Sequence, residues 1–278
     1  MIKLFDKDTI NKYIVPHLSK AKRGYECKAE LWEVVNAIFY KFKTGVQWEL
    51  LPTKSLITSV DLKYGAVYHH FRKWAKDGSW QRVWKNLLFK CKQLLDLSIS
   101  NLDGTHTTCK RGGEQVAYQG RKKCKTSNAL WLTDRKGHVV GFTPPSSGNH
   151  NDLFKIQDSF ENLLKMTEKA TIEVAGLFLN ADAGFDSKEF RQLCKQHDII
   201  LNAPINKRNR NNINELDYYF DETMYENRYV VERTNAWLDA NRSFIIRYDT
   251  TQTSWIAWHF IGLYQTLAKN HFISLNHF

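Results

Sequence analysis

The sequence predicts an α/β chain, in which a mixed sheet flanked by helices over residues 96–278 follows a small all-helical domain over 1–95. Two observations carry this. Up to about residue 95 the apolar side chains recur every three to four positions, as on the buried face of a helix. From about residue 98 they fall into short runs bounded by Gly, Asn and Asp, as in strands. After an opening meander of such runs, strands and amphipathic helices alternate, the pattern of a sheet covered by helices.

Taken in order, Leu31, Val34, Val35, Ile38 and Phe42 share one helical face, and Gly45 supplies the stop. The segment GVQWELLP makes a turn closed by Pro52. A second helix starts from a Ser59 cap and closes at Gly78, and Trp80, Val83, Trp84, Leu87 and Leu88 mark a third. The middle helix carries His69, His70, Arg72, Lys73 and Lys76. Three short helices with tight turns suit a helix-turn-helix-type module that lays a basic helix, with Arg72 and Lys73, on DNA; they also suit an ordinary bundle with a solvated basic face.

Beyond residue 95, SISNLDGT, NALWLTD and HVVGFTP read as strands, with a turn at Gly137. A helix with Leu153, Ile156, Phe160, Leu163 and Leu164 on one face starts from an Asp152 cap. The run AGLFLNAD is a buried strand, a helix follows over about 186–196, and DIILNAP is another strand. PINKRNRNNIN, residues 204–214, has five Asn and three basic residues and almost nothing to bury. It reads as a positively charged loop, either a phosphate contact or idle surface.

Composition narrows the setting. Hydrophobic residues at 42% and charged residues at 25% allow a soluble protein with a sizeable core. Forty Lys and Arg against 29 Asp and Glu give a formal charge of +11. That surplus favours a polyanionic partner, unless the basic surface is indifferent. The five cysteines are scattered and form no C-x-x-C pair, so neither a disulfide framework nor a zinc knuckle is indicated, and a reducing cytoplasm suits them. The opening MIKLFDKDTI lacks the apolar core of a signal peptide. The longest apolar stretch, 255–267, is too short for a bilayer and contains His259 and Gln265, so no membrane partner is expected. No phosphate-cradling G-x-x-x-x-G-K-[ST] run appears, so no nucleotide cofactor is expected.

Three acids are candidates for a site. Asp103 ends the first strand, Asp182 ends the buried strand ahead of a turn at Gly184, and Glu232 lies on a helix spanning 221–242. Carboxylates at the carboxyl edge of a sheet suit two-metal phosphoryl transfer, in which hard cations about 4 Å apart activate the attacking oxygen and stabilise the leaving one. Tyr225, Arg228, Asn235 and Asp239 share the side of Glu232, opposite Val230, Val231, Trp237 and Leu238. Periodicity alone favours a plain Arg228–Glu232 surface pair over a site. His106, His150 and Asp152 hint at a zinc site but lack ligand spacing.

The segments DGTHTTCKRGGEQVAYQGRKKCKTSN, GNHND, NADAGFDS and Y-x-x-R-x-x-x-E-R-x-x-x-W occur here in order. Together they resemble the DDE transposases of bacterial insertion sequences, in the fifth insertion-sequence family. GVQWELLP and VYHHFRKWAKDGSW resemble the DNA-binding domain of those proteins, and the likeness runs from about residue 25 to 270. The resemblance implies an RNase H-like catalytic domain over 96–278 and a DNA-binding domain over 1–95. It implies that Asp103, Asp182 and Glu232 are catalytic and hold two Mg2+ ions, with Mn2+ able to substitute. Tyr225 and Arg228 match the positions before the signature Glu and are expected at DNA phosphate. Separations of 79 and 50 residues between the three acids leave no room for a large insertion.

Where the broader signature has a basic residue, this chain has Asp239, so Arg242 or Arg247 is expected to take over its contact. Arg111, Arg121, Lys122, Lys123 and Lys125 are expected to grip DNA beside the scissile phosphate. The implied activity is cleavage at the ends of the element and joining of the 3′-hydroxyls to target DNA. The implied partners are terminal inverted repeats, target duplex and a second copy of the chain on DNA. The alternatives are a catalytically inactive DNA-binding regulator derived from such an enzyme, and a structure-selective nuclease on the same fold.

Overall fold

The computed structural model describes residues 5–20, 27–206 and 219–275, the last five as backbone only. The basic loop expected over 204–214 lies, from residue 207 on, outside the described residues. In chain order the main elements are α1 (Lys7–Tyr13), α2 (Leu31–Thr44), α3 (Thr53–Leu56), α4 (Tyr64–Lys76), α5 (Ser79–Lys90), β1 (Ser100–Cys109), β2 (Ala117–Gln119), β3 (Cys124–Thr133), β4 (Val139–Phe142), β5 (Ser146–Ser147), α6 (Ile156–Lys169), β6 (Phe178–Ala181), α7 (Lys188–Gln196), β7 (Ile200–Asn202), α8 (Glu222–Tyr225), α9 (Val230–Asp239), α10 (Arg242–Ile245) and α11 (Gln252–Leu275).

The chain forms two compact units, one of Met1–Leu87 with Leu238–Phe278 and one of Leu88–Trp237. This differs from the division at residue 95 read from sequence, because the C-terminal segment joins the N-terminal helices. The cause lies in α11, whose Trp255, Trp258, Ile261 and Tyr264 are all buried and need cover on several sides. Helices α2 and α4 supply it: Trp258 stacks on Phe71 at 4.3 Å and on Phe42 at 5.5 Å.

Within this helical unit α2 ends as read, at Gly45 in the left-handed region. Ser59 caps no helix. Its hydroxyl and that of Thr58 donate to the buried Glu33 carboxylate, which also takes the Thr58 and Ser59 backbone N–H groups at 3.0 and 3.2 Å. The chain stays out of helix past Ser59, and α4 begins only at Tyr64.

In the other unit β3 pairs antiparallel with β1 along one edge and with β2, β4 and β5 along the other. Strands β6 and β7 then add parallel to β1. The order β4-β3-β1-β6-β7, with an antiparallel meander followed by two parallel strands, is that of an RNase H-like sheet. Helix α6 lies close on β4, where Gly141 leaves space beside Thr167 and Leu163.

One strand boundary differs from the sequence reading. Asp103 is the fourth residue of a ten-residue strand, not its end. The polar run GTHTT hides the continuation, which β3 holds by pairing through Thr108. The neighbour ends instead, since β6 stops at Ala181. All five cysteines are free thiols, and among the described residues no helix is long and apolar enough to cross a membrane.

Candidate active site

The parallel register of β1 and β6 pairs Ser100 with Leu179, Asn101 with Asn180 and Leu102 with Ala181. One step further stand Asp103 and Asp182. Asp182, the first residue past β6, keeps an extended backbone, and its carboxylate is close enough to Asp103 to raise the Asp103 carboxyl. Asp182 also caps the short turn after β6, its Oδ1 accepting from the Gly184 N–H at 2.7 Å.

The segment over this face is helical but not one uniform helix. Helix α8 passes through a tighter 3-10 turn, Glu226–Tyr229, into α9. Val230, Val231 and Leu238 are buried, as the apolar side requires. Arg228 Nη2 donates to Asp103 Oδ1 at 2.5 Å, with the two side chains 24% and 22% exposed. Glu232, four residues on, is exposed. Thr105, on the same face as Asp103, donates to Asn235 Oδ1 at 3.4 Å.

Electrostatics bind these groups into one site. Burial pushes the Asp103 carboxyl up to about 6; Arg228 opposes this, while Asp182, Asp152 and Glu232 each add to it. One guanidinium does not balance Asp103, Asp182 and Glu232, and Asp152 adds to the excess from the opposite face of the sheet. Burial also raises the Tyr225 phenol, with Arg228 pulling it down and Asp182 and Asp103 pushing it up.

Hard oxygen donors with surplus negative charge are what Mg2+ or Mn2+ requires. Among the described residues the Nε of Arg228 is buried without a hydrogen-bond partner. The donor set fits a divalent cation in chemistry, although among the described residues no three His, Cys, Asp or Glu are gathered in metal-holding geometry.

Asp152 is the acid whose place the sequence reading missed. Helix α6 starts only at Ile156, behind Lys155 at φ +50°, so Asp152 is not its cap. Its Oδ1 accepts from Asn128 Nδ2 at 2.6 Å, and its carboxylate lies over Gly104, on the face opposite the Asp103 side chain. A Cβ at residue 104 would stand 2.1 Å from that oxygen, which is why glycine follows Asp103. No single-sequence signal pairs residue 104 with residue 152. His106 Nδ1 lies 3.2 Å from Thr126 Oγ1, and His150 stacks on Phe154. Neither belongs to a zinc cluster among the described residues.

Arg111, Arg121, Lys122, Lys123 and Lys125 are all exposed, around β2 and the turn into β3. Lys122 is partly engaged, its Nζ donating to the His106 carbonyl at 3.0 Å. Arg72 is exposed beside the Tyr68 ring, whereas Lys73 turns to the Ser19 carbonyl at 3.2 Å. Arg242 is exposed. Arg247, its alternative, is only 1% exposed, with Nε donating to the Asp249 carbonyl, so it is built into the helical core.

Two family descriptions match the chain. Residues 8–84 match a transposase of the IS4/5 family, and residues 95–263 match the transposase DDE domain. Two solved structures are similar at a TM-score of 0.30. One is a pre-cleavage Mos1 transpososome, at 12% identity over 90% of this chain and 82% of that one. The other is a Mos1 transposase paired-end complex with left transposon end, at 11% identity over 89% and 80%. Curated proteins give no match.

Proposed function

Since the chain belongs to the DDE transposases of the IS4/5 family, we propose that it cuts the ends of its own insertion element and joins them to target DNA. The observation that supports this is the β1–β6 register, which runs to the residues just before Asp103 and Asp182, together with the Arg228–Asp103 pair. Asp103, Asp182 and Glu232 would hold divalent metal ions, which when bound supply Lewis-acid activation of water and charge relief at the leaving oxygen.

Water attacks the phosphodiester at each end; the new P–O bond forms as the bond to the 3′-oxygen breaks, and that oxygen leaves as a hydroxyl. The 3′-hydroxyl then attacks a target phosphodiester in the same in-line manner, displacing the target's own 3′-oxygen. Arg228 and Tyr225 serve as phosphate contacts, and the resting pair with Asp103 gives way when an end phosphate takes the guanidinium. The exposed basic residues around β2 track the DNA backbone. The N-terminal helices, with Arg72, bind the terminal repeats, and two copies of the chain hold two ends in the cytoplasm.

The test is strand cleavage of element-end DNA by purified protein with Mg2+. Asp182→Ala keeps end binding and loses at least ~10³-fold in cleavage, or about 4 kcal/mol of transition-state stabilisation. Near-full cleavage by that variant would falsify the reading.

A further inference from the structure

Three asparagines lie fully buried in adjacent strands: Asn101 in β1, Asn180 in β6 and Asn202 in β7. The parallel registers pair Asn101 with Asn180 and Asn180 with Asn202, so their amides stand in one row across the sheet. They are joined in sequence. Asn202 Nδ2 donates to Asn180 Oδ1 at 2.8 Å, and Asn180 Nδ2 donates to Asn101 Oδ1 at 3.1 Å.

Each amide also reaches the segment lying over the sheet. Asn202 donates to the Asp221 carbonyl at 2.9 Å and accepts from its N–H at 2.7 Å. Asn180 donates to the Met224 carbonyl at 2.9 Å, and Asn101 donates to Asn227 Oδ1 at 3.2 Å. The contacted positions are three residues apart. Three helical residues advance by about 4.5–6 Å, close to the spacing of about 4.8 Å between strands. One turn of the overlying segment therefore matches one strand of the sheet, and the residue after Asn227 is Arg228, on Asp103.

Apolar side chains would cover this face without any need for partners, whereas each buried amide is costly unless its hydrogen bonds are made. Apolar packing also tolerates sliding, which a row of directional bonds does not. We propose that Asn101, Asn180 and Asn202 are positioning residues, a ruler that fixes the 221–227 segment across three strands and so sets Tyr225, Arg228 and Glu232 over Asp103 and Asp182. This rests on the function proposed above for those residues.

The experiment is hydrogen exchange read by mass spectrometry on the full chain, wild type against Asn180→Ala, with neither metal nor DNA. The ruler requires exchange in peptides over 219–229 to rise by at least ~10-fold while peptides of β3 keep their wild-type protection. Unchanged exchange over 219–229 overturns it, and so does an equal rise throughout the sheet, which marks a purely structural role. Should Asn180→Ala not fold, Asn202→Ala breaks the row at its outer strand and carries the same two outcomes. In cleavage assays Asn180→Ala loses ~10²-fold in kcat with KM for end DNA little changed, the mark of misplacement. A loss in KM alone counts against positioning. Wild type that cleaves no DNA defeats the proposed function, while the exchange result still decides whether the ruler exists.

Discussion

The helical unit and the sheet unit bury ionisable groups in opposite ways. In the helical unit burial removes charge, balances it or, at Glu33, surrounds it with hydrogen-bond donors. His259 is fully enclosed by Phe244 and Trp255 and is pushed down to about 4, and burial does the same to His70. Burial lowers Lys41 and raises Asp249, and each counters the shift of the other. Lys41 further lies over the rings of Trp48 and Trp258. In the sheet unit burial instead concentrates negative charge at Asp103, with Arg228 as a partial counterweight. The same desolvation that settles one unit leaves the other with uncompensated negative charge, which marks it as a candidate site.

The largest effect that would sharpen this contrast belongs to Trp258→Ala. It opens a cavity among Phe42, Phe71 and Trp48 and costs about 3–5 kcal/mol, read as a lower midpoint in denaturant. A loss below 1 kcal/mol would mean that the aromatic stack does not hold the helical unit together.

Next is acid. The unfolded chain takes a proton at His259 near the ordinary imidazole value of 6.5, whereas the folded chain does so only near 4. Stability is therefore full above about pH 6.5, declines as pH falls toward 4, and loses nothing further from this group below that. The decline amounts to roughly 3 kcal/mol at its end. His259→Asn keeps a donor for the Trp255 carbonyl and flattens the melting temperature across that window. An unchanged slope would remove His259 from the account.

A smaller effect tests the sheet unit. Gly104→Ala drives a methyl group into the Asp152 carboxylate and costs about 1–3 kcal/mol, and Asp152→Ala in the same chain restores most of it. Additive losses would show that the two do not meet. The smallest effect is that of Arg121→Ala. Stability stays within about 0.5 kcal/mol, while the log–log salt slope of DNA binding falls by about 0.9 if this side chain meets a phosphate.

What the sequence discloses follows the range of the physics involved. The helix ending at Gly45 and the strand leading to Asp182 are legible because periodicity and a stop signal are local. The extent of β1 is not, since a polar run reads as strand only once β3 is beside it. The grouping of residues 238–278 with the first helices escapes for a similar reason: periodicity reports that a face is apolar, not what covers it. Of the candidate site, the three acids and Arg228 are expected from the resemblance that the quoted segments carry. Asp152 and the row of asparagines are not, because they have meaning only through register, and a lone Asn in an apolar strand looks like an exception.

The pair between Arg228 and Asp103 has a consequence for how a polyanion reaches an acidic site at all. A bare group of carboxylates repels the phosphate it is meant to meet. A guanidinium seated among them screens that repulsion, and it cannot serve a carboxylate and a phosphate with the same N–H at the same time. Whatever phosphate draws Arg228 away also uncovers Asp103. On the function proposed above, the arriving strand itself would unmask the acid, and away from DNA the pair would keep it covered.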